Sequence, residues 1–545
     1  FYQDQITDIT QARIDGSFDF EDGRLQFGVE TRAMEMSQKG SEAYFPNGDW
    51  GVANPGEIPD ELVQPFCTSC EFDDFNIGNA SRVGFKGDTV ALANWAAQNF
   101  GFDPVASRDY RDFHTVEEDT QAFYVQFGLS GEFAGRPINT LVGVRYEQTD
   151  VTSVSQMLLP TQIRWQDNND FFTDRDTAIT NFTQEADYDH VLPSLDFDIG
   201  LTDTLKGRLS YSKTIARAQY DQLRAAINVG GFSGPTITGG VASASVSNPA
   251  LVPLESDNID ISLEWYFGDS SYVSAGLFEK RVSNFIGTEQ VDESFFGLRD
   301  VTSGPRALAA RDAVLAITDP TIRDVGAPVN ETELFVMAAI LEHPEAFPGG
   351  AADFAGLSDP AQAVTVATDY DIVPNASDPL YEFQTTRPIN NREAKLYGAE
   401  FGGQHFFGDT GFGVQANYTI VKGDVGFNNN GDPSVNQFAL LGLSDSANLV
   451  AMYEKFGLSV RLAYNWRDEY LTQANRGEGR SPEYVEDYSQ IDLSVGYDIN
   501  DHLSLSFEAL NLTGEDIRTH GRSIRQVWTF EEQGARYALG ARFKF

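Results

Sequence analysis

The stretch Ala535-Arg536-Tyr537-Ala538-Leu539-Gly540-Ala541-Arg542-Phe543-Lys544-Phe545 closes the chain. Extended as a strand, it puts Tyr537, Leu539, Ala541, Phe543 and Phe545 on one face and Arg536, Ala538, Gly540, Arg542 and Lys544 on the other. One apolar face, one polar face and an aromatic at the end suit a strand with hydrocarbon on one side and water on the other. A single strand can show this by chance, so the reading depends on repetition.

The pattern repeats upstream. Leu503, Leu505, Phe507 and Ala509 alternate with Ser504, Ser506 and Glu508; Ile491, Leu493, Val495, Tyr497 and Ile499 alternate with Asp492, Ser494, Gly496 and Asp498. Leu458–Trp466, Phe412–Ile420, Ile259–Trp265 and Phe123–Leu129 read the same way. Each segment is roughly ten residues, the span of a tilted strand across hydrocarbon. Short turns at Glu21-Asp22-Gly23, Gly268-Asp269, Gly408-Asp409-Thr410-Gly411, Phe456-Gly457 and Asn500-Asp501 alternate with long stretches near 35–118, 158–188, 218–256, 287–391, 423–443, 472–487 and 514–534. Turns at one end and long loops at the other indicate an all-β fold, a transmembrane antiparallel β-barrel of an outer membrane with its loops outside the cell. A soluble sandwich or propeller seldom carries loops this long at one end only.

Composition agrees. The 545 residues hold 40 Phe and 21 Tyr, yet contain no run long enough for a membrane helix. The net charge of -43 argues against nucleic acid as a partner. Much of the acid lies in the expected outer loops, as at Asp167, Asp170, Asp174, Asp176, Glu185, Asp187 and Asp189, and reads as a solvated surface. A divalent cation could bridge such oxygens, but no segment has calcium-loop spacing, so no metal site is assigned.

Cys67 and Cys70 are the only cysteines. A zinc site would need two further ligands, and His114, His190, His343, His405, His502 and His520 are scattered. In an oxidising exterior the expectation is a local Cys67–Cys70 disulfide. Trp50, Trp95, Trp165 and Trp528 fall in or beside the loops and are the candidate substrate-binding residues, because aromatic faces stack on sugar rings; each taken alone reads more readily as loop packing or an interface anchor. Arg208, Glu264, Glu400, Arg461 and Arg467 should point into the lumen as a polar network. An outer-membrane hydrolase would need a nucleophile and a base. His405 lies on the apolar register near a turn, and His520 has no identifiable Ser or Asp partner, so no catalytic residue, cofactor or enzymatic activity is assigned.

The residues resemble a known family at several points. Leu209-Ser210-Tyr211-Ser212-Lys213-Thr214-Ile215-Ala216-Arg217 with Asp221-Gln222-Leu223, then Asn248-Pro249-Ala250-Leu251 and Leu254–Asp260, then Lys395–Phe401, Ala509–Thr513 and the closing strand, are together similar to the barrel of TonB-dependent receptors. The resemblance runs from about residue 120 to the end. It implies a 22-strand barrel around an N-terminal plug, importing a scarce nutrient with energy from the inner-membrane TonB complex. The subfamily most similar implies a saccharide; an iron–siderophore, other metal chelate or vitamin is the alternative within the family, and a passive porin the alternative outside it. The expected partners are a small-molecule substrate, outer-membrane lipid and lipopolysaccharide, and the TonB complex. The expected location is the outer membrane of a Gram-negative bacterium. About fifteen strands are countable. Since bacterial barrels close on an even number, residues 1–545 are expected to be the C-terminal portion of a larger barrel, without the plug, the TonB box and the early strands.

Overall fold

The computed structural model describes residues 2–41, 57–67, 83–101, 112–433, 435–477 and 480–545. Its main sheet has seventeen strands. Fifteen form a continuous antiparallel meander: β1 (Tyr2–Phe20), β2 (Gly23–Ser41), β3 (Asp112–Phe133), β4 (Arg136–Trp165), β5 (Phe171–Gly200), β6 (Leu205–Ala216), β7 (Leu254–Gly268), β8 (Ser271–Glu293), β9 (Phe383–Phe406), β10 (Phe412–Gly423), β11 (Ser446–Lys455), β12 (Leu458–Arg467), β13 (Tyr488–Asn500), β14 (Leu503–Leu510) and β15 (Arg536–Phe543). The other two, Ile227–Gly230 and Ala242–Val246, form a hairpin whose second strand pairs in parallel with the start of β9. Among the described residues β1 and β15 do not pair with each other, so the wall is an open ribbon.

The turn end follows from local chemistry. Ala134-Gly135 joins β3 to β4 and Phe456-Gly457 joins β11 to β12, with all four residues at positive φ (52°, 74°, 59° and 75°). Two left-handed residues in succession make the tight turn whose twist matches antiparallel strands.

The register carries the apolar band across the wall. Phe18, Leu25, Phe127, Val142 and Leu195 stand in one row over β1 to β5. Leu209, Ile261, Leu277, Ala399 and Ile420 form another over β6 to β10. Tyr453, Val460, Val495, Phe507 and Leu539 complete it over β11 to β15. Several of these side chains lie open, Leu539 at 83% and Phe18 at 65% exposure, and the rest are partly so. A continuous apolar surface of this extent needs lipid against it. Among the described residues no helix is long and apolar enough to cross a membrane.

Two regions depart from the sequence reading. Residues 158–188, expected to be a loop, are mostly the paired tops of β4 and β5, each 30 residues long and joined by the short segment 166–170. No clean alternation marks them: β5 is largely polar over Asp174–Thr177, while Ile163 and Trp165 of β4 turn into buried cores formed with the insertion. The region 287–391 holds a small helical insertion: α2 (Pro305–Leu315), α3 (Glu331–Glu342) and α4 (Ala361–Asp369), following the earlier α1 (Thr89–Phe100). α3 opens on a capping box in which Asn330 accepts from the Glu333 amide while Glu333 accepts from the Asn330 amide. Its next seven residues, Leu334 to Ile340, are all buried. They form a core with Ala310, Val314, Phe354, Val366, Ile372 and Trp165, the last residue of β4. Trp165 and Ile372 exchange main-chain hydrogen bonds of 3.1 and 2.9 Å, which fasten the insertion to the hairpin.

Candidate functional site

The inner face of β1 to β5 carries a chain of charges. Glu30 lies 4.0 Å from Arg13 and 3.5 Å from Arg145; Arg145 lies 2.9 Å from Glu147. Glu147 meets Arg217, the first residue after β6, at 2.7 Å, and Arg217 approaches Glu118 at 3.6 Å. The register dictates this arrangement. The residues one step off the apolar rows face inward, and alternation makes them Arg, Glu, Gln, Asn and Ser. Of the residues expected on this face, Arg208 pairs with Glu264 at 3.0 Å and Arg461 with Glu454 at 2.9 Å. Arg467 instead donates to Ser444 Oγ and the Gly442 carbonyl and lies over the Tyr470 ring.

Segment 217–226 folds across the loop end of this face. Leu223, 2% exposed, packs with Met36, Val116, Val151, Tyr188 and Leu251. Tyr220 donates to the Met34 sulfur at 2.9 Å, and burial together with the Glu118 carboxylate raises its phenol above the ordinary range. Beside the segment opens a cavity of about 340 Å³. Its walls include Gln222, Phe285, Arg392, Phe438 and Asn475. Phe285 and Phe438 meet edge to face at 4.9 Å, and the Arg392 guanidinium stands 5.9 Å from the Phe438 ring centre. Among the described residues Arg392 has no carboxylate partner. Asn475 and Gln437 exchange hydrogen bonds of 2.9 and 2.8 Å between side chain and main chain, which fixes the adjoining loops. The volume lies within the range of small-molecule sites, and the lining of two aromatics, several amides and one cation can stack on a ring and bond to hydroxyls.

The three candidate tryptophans among the described residues do not converge. Trp165 is fully buried, stacked on Phe171 and edge-on to Phe335, with Nε1 donating to the Asn168 carbonyl. Its burial removes it from the substrate-facing set; the insertion core claims its ring. Trp528 sits in a small four-stranded sheet built from residues 470–531, donates to the Pro482 carbonyl and carries Arg476 over its face at 4.6 Å. Trp95 lies on α1 against Phe100. Trp50 lies outside the described residues, as does Cys70; Cys67 ends a short strand, Val63–Cys67. His520 is buried in the small sheet, its ring nitrogens facing the Gly521 carbonyl and Glu469. His405 faces Ser271 Oγ and lies between the rings of Phe267 and Phe407. Among the described residues no three His, Cys, Asp or Glu side chains converge as a metal site. The pocket residues Phe285, Arg392 and Phe438 escaped the sequence reading because nothing local marks them. Phe285 of β8 and Arg392 of β9 are partners across the ladder, and Phe438 joins them only when the loop after β10 folds back over these two strands.

A family model described as TonB dependent receptor-like, beta-barrel matches residues 2–512. The chain belongs to this family of TonB-dependent receptor barrels. No curated protein matches the sequence. Among solved structures, this receptor barrel is similar to the siderophore receptor PirA from Acinetobacter baumannii, at 13% identity over 99% of this chain and 63% of that one, with a TM-score of 0.46. It is similar to the siderophore receptor PiuA from the same organism, at 13% identity over 100% of this chain and 56% of that one, with a TM-score of 0.49. The ferric citrate transporter FecA in its unliganded form matches at 11% identity over 99% of this chain and 55% of that one, with a TM-score of 0.48. The receptor barrel thus spans less than two thirds of each of these structures.

Proposed function

We propose that this receptor barrel is the wall of an active importer in the outer membrane of a Gram-negative bacterium, capturing a scarce saccharide at the loop-end pocket and releasing it along the charged inner face. Lipid and lipopolysaccharide surround the apolar band, and the TonB complex supplies the energy. The observation that carries the substrate class is the pocket lining. The Phe285–Phe438 pair offers apolar ring faces, and Gln222, Asn436, Gln437 and Asn475 offer amides for hydroxyls. The acidic chain, at -43 overall, repels an anionic ferric chelate over distance.

One observation favours the second reading, an anionic metal chelate: Arg392 stands beside Phe438 with no carboxylate partner among the described residues. Uptake of labelled oligosaccharides and of labelled ferric siderophores by cells carrying the full-length receptor separates the two. For a saccharide, Phe438→Ala should lower capture at least tenfold and Arg392→Gln should lower it little. A large loss of ferric-chelate uptake in Arg392→Gln, with no saccharide uptake in the unaltered receptor, would replace the first reading with the second.

A further inference from the structure

Gln222 and Leu223 are consecutive, yet they face different sites. Gln222 lines the pocket, while Leu223 is seated in the apolar cluster on the inner face. One tight turn holds both: the Leu223 amide donates to the Tyr220 carbonyl at 3.2 Å, and the Gln222 side chain accepts from the Gln219 amide at 3.2 Å. Such a turn moves as a unit, so a displacement of Gln222 unseats Leu223.

The near end of the turn is held by Arg217. It bonds Glu147 at 2.7 Å and stands 3.6 Å from Glu118, whose side chain is 1% exposed. Glu118 Oε1 accepts from the Tyr188 hydroxyl, while Glu118 Oε2 and Arg217 Nε, both buried, face each other at 3.6 Å, beyond hydrogen-bond reach; among the described residues neither has another hydrogen-bond partner, nor do Ser153 Oγ and His190 Nε2 nearby. Buried polar atoms are rarely left so. A permanent structural tie would satisfy its members, because a half-satisfied buried network costs more than a complete one. Here Arg217 spans two carboxylates, Glu147, which Arg145 also holds, and Glu118, which it meets only at 3.6 Å; that loose contact keeps the closed state within reach of an open one.

We propose that segment 217–226 is a strap, latched onto the inner face by Arg217 and released when the adjacent pocket is filled. The proposal rests on the reading of that pocket as the substrate site. Arg217 is a positioning residue in it. Filling the pocket pushes on Gln222, lifts Leu223 and exposes Glu118 and Glu147 to the lumen, so capture at the loop end uncovers the charged path below.

The test uses an occupant of known identity. In the purified full-length receptor with Cys67→Ser and Cys70→Ser, Thr288→Cys at the exposed rim of the pocket is conjugated to fluorescein maleimide. Hydrogen–deuterium exchange is then read at the amides of 218–224. Conjugation should speed exchange of these amides at least tenfold. The same label on Ala352→Cys, exposed in the helical insertion, should not. Arg217→Ala should speed exchange without any label, and Arg217→Lys should restore much of the protection. Unchanged protection after conjugation at 288, or equal loosening by the label at 352, overturns the proposal. If Arg217→Ala does not fold, the conjugation arm decides alone. Because the label stands in for substrate, a receptor that proves not to bind saccharide leaves this result intact.

Discussion

Leu493 of β13 stands directly opposite Leu462 of β12 and Ala509 of β14, whereas its neighbour Ser494 stands opposite Arg461 and Glu508. Adjacent residues therefore belong to opposite solvents. Arg at Leu493 should cost roughly 2–4 kcal/mol near mid-membrane, and Arg at Ser494 little. Folding titrations into lipid vesicles measure both; equal tolerance at the two positions would contradict the lipid-facing assignment.

Trp165 joins the β4–β5 hairpin to the helical insertion through side chain and main chain alike. Trp165→Ala should cost about 3–5 kcal/mol, the usual penalty for emptying a large aromatic site. The loss should be local. Limited proteolysis should open the insertion around 305–342 while the fifteen-strand wall keeps its heat stability. Simultaneous melting of wall and insertion would show that they are not separable units.

Tyr381 is 3% exposed at the base of the insertion, and burial, reinforced by Asp300, raises its phenol above the ordinary value. The unfolded chain loses the proton first, near pH 10. The stabilisation is therefore complete below that pH and is lost as pH rises past it. Proteolytic sensitivity of the insertion, followed from pH 9 to 11.5, should climb in the unaltered protein and climb less in Tyr381→Phe. An identical profile in both would remove Tyr381 from the account.

Cys67 and Cys70 should form a disulfide in protein taken from the outer membrane, where thiols oxidise. The ring they close is small, so it removes little entropy from the unfolded chain. The double serine variant should insert and fold normally. Non-reducing mass spectrometry decides the pairing: two alkylatable thiols would reject it, and stoichiometric zinc would point to a metal pair instead.

The wall was legible because each strand writes its own two faces. Leu503 to Ala509 and Ile491 to Ile499 announce their registers without help from the rest of the chain. The helical insertion was not legible for the opposite reason. Leu334 to Ile340 are buried on every side, so α3 shows no periodic face, and its start is marked only by Asn330 and Glu333. The small sheet around Trp528 is built from strands of 4 to 7 residues, too short for alternation to stand out. Trp165 looked available for stacking because it sits at the end of a strand near a loop. What encloses it, Phe335 and Ile372, lies far along the chain.

Each strand of the wall bonds to the wall strands just before and just after it in sequence. A hairpin can then be copied or deleted in the gene without re-pairing any other strand, and the circumference changes by a fixed step. Inheritance can work on such a barrel two strands at a time, widening or narrowing it as cargo demands. The exception is β9, where the hairpin of Ile227–Gly230 and Ala242–Val246 leans on a strand that is not its sequence neighbour. Insertions that separate those two segments break a parallel pairing as well as lengthen a loop, so this stretch should be the least free to vary in length over evolutionary time.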